Sequence, residues 1–211
     1  MSVEVTPAAP ITATGTGSRN LDGQAIAITV FSTIRPWGNK LAPVPGRIFL
    51  PILFFVTARI PKLTITLRQL SFIHFARWNV ITKIPYNGPP QKKQRLRYPH
   101  MYFESNFNGG WEEYIDAFSH ILAKGMTGFW GTSFGFPMPL PTAPFKEYIQ
   151  VNETEAEHYY CAYPESTNTM IQRSLALDEK LAPLIARADR MEPEEFATAY
   201  RQLLTDVQHC L

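Results

Sequence analysis

Two hydrophobic periods alternate along this chain, and their order restricts the fold more than any other feature. Ala25 to Ile34 (AIAITVFSTI) is β-branched and alternates with the period of two that marks a strand. Arg47 to about Ile60 has an apolar core (IFLPILFFV) and reads as a helix. Pro51 falls at the end of its first turn, where proline is tolerated, and Pro61 must break it. A second short helix or extended piece then runs to Leu70. Ser71 to Thr82 and His100 to Phe107 return to period two. Trp111 to Leu122 sets Trp111, Tyr114, Ile115, Phe118, Ile121 and Leu122 on one helical stripe, with Glu112 and Glu113 at the positive end. Glu157 to Tyr163 (EHYYCAY) reads as a fourth strand.

The order β-α-β-β-α-β is the split βαβ or ferredoxin-like pattern. It predicts an α+β protein: an antiparallel sheet of four strands, helices on one face, and additional C-terminal helices. The other face then has to be covered by a second subunit, by the tail helices or by a ligand. Residues 1–24 read as a flexible arm, 25–165 as the ferredoxin-like core, and 166–211 as helices packed on it. Ser166 or Thr167 is expected to cap a helix running to about Leu181, with Pro183 near its break, and Pro193 opens a last amphipathic helix. Gly125 to Lys146, rich in Gly, Pro and aromatics, reads as a long binding loop ending in a short helix at Phe145 to Gln150.

Composition narrows the function classes. The longest apolar run, Ile48 to Val56, is nine residues, where a membrane-spanning helix needs about 20. Met1 to Gly23 has neither a basic nor an apolar region of the secretory kind, so a cytoplasmic location is expected. Two cysteines, Cys161 and Cys210, exclude a disulfide scaffold. Cys161, inside an aromatic run, reads as packing. There is no phosphate-loop pattern, and no spacing of His, Cys or acidic residues predicts a metal site.

The formal charge of +2 conceals two opposite halves. Residues 1–100 carry 13 Lys and Arg against only Glu4 and Asp22, a net +11, whereas residues 101–211 carry a net −9. Either the two halves interleave on one surface, or the basic half meets an anionic partner. Lys92, Lys93, Arg95 and Arg97 lie in one loop and are the candidates for binding an anionic membrane surface, at the inner membrane face. Nucleic acid is not expected, because no recognition motif accompanies the charge.

Strand alternation supplies the candidates for chemistry. On the second strand His74 shares a face with Phe72 and Trp78, while Arg77 points the other way with Phe75. On the third strand Tyr102, Glu104 and Asn106 share a face. If these strands form a hairpin, Arg77 meets Glu104 or Asn106 across the ladder. That pair is either a structural tie or an acid/base and orienting pair. His74 is either a core histidine or a general base or axial haem ligand.

At SFIHFARW (71–78), YFESNFNGGWEEYIDAF (102–118) and HYYCAYPES (158–166) the chain resembles a family of bacterial proteins without an assigned activity. That resemblance implies no catalytic residue. The inferred topology is also similar to the dimeric α+β-barrel superfamily, which implies a homodimer and the chemistry of cofactor-free monooxygenases, cyclases or haem peroxidases. The glycine–aspartate signature of those peroxidases is missing, which weighs against haem. The expected function is therefore binding of a hydrophobic small molecule between sheet and aromatic loop, with oxidative or cyclising chemistry. His74, Arg77 and Glu104 are the catalytic candidates, and Tyr102, Trp130, Phe134 and Tyr160 the ligand-binding ones. The alternative is a non-catalytic peripheral membrane or scaffold protein built on the basic, apolar first half.

Overall fold

The computed structural model describes residues 20–37, 45–60 and 70–208. The expectations for residues 1–19 of the arm and for the piece at 61–69 lie outside them. The elements are β1 (Leu21–Asp22), β2 (Ala25–Thr33), α1 (Gly46–Thr57), β3 (Ile73–Ile81), β4 (His100–Asn108), α2 (Trp111–Ile121), α3 (Ala123–Trp130), α4 (Thr142–Asn152), α5 (Asn168–Ala188) and α6 (Pro193–Asp206). The protein is thus mixed α+β.

The sheet is antiparallel throughout, in the order β1-β2-β4-β3. Val30 and Trp78 both pair with Phe103 across the central strand β4. This alternation sends Ile28, Val30, Met101, Phe103 and Trp78 to one face, where they meet Leu50 of α1, Tyr114, Ile115 and Phe118 of α2, Trp130 of α3 and Ile149 of α4. Phe107 and Tyr114 stack at 3.8 Å, and Trp130 stands edge-on to Phe103 at 5.1 Å. Such aromatic pairs add to the burial of their area.

Several expectations are corrected. Glu157 to Tyr163 is not a strand, so the sheet does not have the ferredoxin-like set of four. Within the segment Cys161 N donates to Asp22 Oδ2, withdrawing an amide a ladder would need, and Ala156 N just before it donates to Asn20 Oδ1. The edge beside β2 belongs instead to Leu21–Asp22, inside the expected arm. Gly23 turns that hairpin with φ +60° and lies against Pro164, whose carbonyl oxygen would clash with any Cβ there. Only glycine satisfies both demands.

Gly125 to Lys146 is largely helical, with α3 and α4 leaving only residues 131–141 as connection. Glycine in a helix costs about 1 kcal/mol against alanine, and burial of Met126 and Trp130 one turn apart outweighs it. Trp130 Nε1 also donates to Ser32 Oγ at 3.1 Å. Pro183 does not end α5, which continues past it to Ala188 and buries Leu184. Thr167 does cap α5, accepting from Met170 N.

Candidate functional site

The face of the sheet turned away from the four packed helices carries the chemistry. Alternation points Thr29, Phe31, Tyr102, Glu104, Asn106, Phe75 and Arg77 toward it. Arg77 and Glu104 are direct partners in the β3–β4 register. Arg77 Nε donates to Glu104 Oε2 at 2.8 Å, and Nη2 approaches the same oxygen at 2.7 Å. Tyr102 joins from two residues along β4: its hydroxyl donates to Glu104 Oε2 and accepts from Arg77 Nη2 at 3.1 Å. Burial, and the hydrogen bond to Glu104, hold the Tyr102 hydroxyl above the usual tyrosine range. Arg77 is largely in water, so the pair fixes geometry more than it stabilises the fold.

Beside this triad lies a cavity of about 370 Å3. Its floor is Ala25, His74, Phe75, Glu104 and Asn106 of the sheet, and its wall is residues 159–163 with Ser166 and Ile171. The β3–β4 register shifts between Ile73 and Phe75, so His74 is the extra residue of a bulge. A bulge re-aims side chains, and here His74 shares the cavity with Phe75 and Glu104 instead of following Trp78 into the core. Asn106, only 4% exposed, leaves Nδ2 buried with no hydrogen-bond partner, as does His74 at Nε2. An unmatched buried donor costs roughly 1–3 kcal/mol. Tyr159 is raised above the ordinary range by burial and then by the charges of Cys161, Asp22 and Glu104, so it stays a neutral donor.

The wall is held to the sheet by α5. Asn168, at the start of that helix, donates through Nδ2 to the carbonyls of Ser71 and Ile73, and its backbone amide donates to Asn108 Oδ1. Gln24 N donates to Pro164 O from the opposite side.

Of the expected site residues, His74, Glu104 and Tyr160 line the cavity, while Arg77 and Tyr102 flank it. Trp130 and Phe134 do not. Trp130 is fully buried on the helix-covered face, and Phe134 stacks edge-on with Tyr98 at the end of the sheet. The aromatic segment 125–146 therefore does not form the ligand wall; residues 159–163 do. Cys161, read as packing, also lines the cavity. Asn106, expected as an alternative partner of Arg77, lines the cavity instead, on the β4 face it shares with Glu104 by simple alternation, and Tyr159 lines it too. Among the described residues, no group of three or more His, Cys, Asp or Glu could hold a metal ion.

The site and fold together define an α+β sheet protein with one face packed by helices and a cavity on the other. No family model, no curated protein and no solved structure matches the chain.

Proposed function

We propose that the protein binds a hydrophobic small molecule in the cavity between the outer sheet face and residues 159–163. The observation that carries this reading is Asn106, a buried amide donor without a partner on the floor of a pocket whose wall holds Tyr159, Tyr160 and Tyr163. Phe75, Tyr159, Tyr160 and Tyr163 would enclose a planar apolar body, and Asn106 Nδ2 would meet an oxygen on it. His74 Nε2 would exchange a proton with the same ligand, and Glu104, oriented by Arg77 and Tyr102, would supply a fixed negative charge. Oxidative or cyclising turnover rests on the likeness to the α+β-barrel superfamily. The order β2-β4-β3, with α1 in the crossover, supports that likeness for this half of the sheet only.

Native mass spectrometry and an absorption spectrum of the purified chain test for a retained ligand, including haem. Titration with a naphthalene sulfonate dye tests the cavity directly. Ala25→Trp, which fills the floor, and Asn106→Leu, which removes the donor, should each weaken dye binding about tenfold or more. Unchanged affinity in both, with the fold retained by circular dichroism, would overturn the assignment.

A further inference from the structure

Helix α1 is apolar on both sides. Gly46 and Leu50 are buried, and Phe49, Leu53 and Phe54 pack on the core. The opposite side carries Ile48, Pro51, Ile52, Phe55 and Val56, all exposed, with Phe55 at 59%. The only charges on that outer side are Arg47 at its start and Arg59 at its end. Arg59 lies over the Phe55 ring at 3.5 Å and donates to Phe55 O. A helix already docked on a core has no need of this second stripe.

The position of the stripe matters as much as its composition. Gly46 packs against Ile34 and Thr132, so α1 begins where β2 ends. Ile34 N donates to Pro99 O, which places the β3–β4 connection at that same end. The connection carries Lys83, Lys92, Lys93, Arg95 and Arg97, all exposed. Trp37 and Tyr86 are exposed there too, and Lys93 lies over the Tyr86 ring at 5.2 Å. Residues 23–103 contain no Asp or Glu at all. Among the described residues, none of these cations is paired with a carboxylate.

We propose that the outer face of α1 and this cationic end of the sheet dock together on a lipid surface rich in anionic headgroups. Apolar side chains would enter the headgroup boundary, the aromatics would sit at its level, and the cations would meet lipid phosphates and carboxylates. A nucleic acid would match the cations and leave the stripe in water. The proposal is independent of the cavity, which lies on the opposite face of the sheet.

The test is co-sedimentation of the full chain with phosphatidylcholine vesicles and with vesicles partly replaced by phosphatidylserine. Binding is expected only to the second kind, and it should fall as salt shortens the screening length from about 30 Å to about 3 Å. Phe55→Glu, and separately the set Lys92→Gln, Lys93→Gln, Arg95→Gln and Arg97→Gln, should each reduce partitioning at least about tenfold. Ile52→Glu repeats the first test should Phe55→Glu fail to fold. Equal recovery with both vesicle types, or none with either, overturns the proposal. So does loss in the loop variant without loss in Phe55→Glu or Ile52→Glu, which would mark a general polyanion surface. A dimer that Phe55→Glu dissociates in sedimentation velocity, without vesicle binding, would give the stripe to a second copy instead.

Discussion

Replacing Glu153 by glutamine should raise the melting temperature near and above neutral pH and flatten its dependence on pH. Glu153 follows α4, pairs as an isolated bridge with Val30, and accepts a hydrogen bond from Trp111 Nε1 at 3.1 Å. Burial pushes its carboxyl up from the ordinary 4.5 to about 7; the Trp111 hydrogen bond opposes this and the charge of Glu155 adds to it. The folded chain therefore holds a proton that the unfolded chain has released between about pH 4.5 and 7. Stability contributed by that proton is full below 4.5 and is lost as pH rises through 7. The whole shift corresponds to ~3 kcal/mol at 1.36 kcal/mol per unit, and partial contact with water brings it to ~1–2 kcal/mol. For a chain of this size that is roughly 3–6 °C between pH 5 and pH 8. Glutamine keeps an oxygen for Trp111 and removes the charge. Thermal denaturation of both proteins across this range measures the difference, in which other titrating groups cancel. Identical slopes for the two proteins would refute the assignment of a neutral, partly buried Glu153.

Phe118→Ala should cost ~3–5 kcal/mol and lower the melting temperature by roughly 10 °C or more, because Phe118 is fully buried against Phe103 and Tyr114; a melting curve like that of the wild type would contradict the packing. Glu104→Gln should change stability by less than about 1 kcal/mol, since Arg77 is mostly in water, while strengthening binding of the anionic dye in the cavity that Glu104 lines; denaturant unfolding together with dye titration separates the two effects, and loss of folding would make the triad a structural tie.

Wherever local pattern and tertiary burial agree, the sequence reading matches the structure. The alternation of β3 and β4 predicts the Arg77–Glu104 pairing, and the stripe of Trp111 to Leu122 predicts α2. It departs wherever one residue changes the register. The bulge at His74 has no mark in FIHFAR, because every residue there fits a continuous strand. The β1–β2 hairpin was signalled by Asp22-Gly23, yet two strand residues are too few to show a period. EHYYCAY has strand composition, but Asp22, far away in sequence, takes its Cys161 amide, and Asn20 takes that of Ala156 just before it. The cavity could not be anticipated because its wall depends on those same distant hydrogen bonds.

Among the described strands, β3 forms one edge of the sheet, and nine residues of open backbone are a template on which another chain could build. Three features blunt that edge. Asn168 occupies the Ile73 carbonyl at its start. Asn79 turns its own side-chain oxygen onto Val80 N at 2.9 Å, withdrawing an amide from any incoming strand. Arg77 stands between them as a hydrated charge that edge-to-edge pairing would have to strip of water. Neutralising the residue that orients Glu104 should therefore promote aggregation through this edge even where the fold survives, which light scattering of Arg77→Gln would detect.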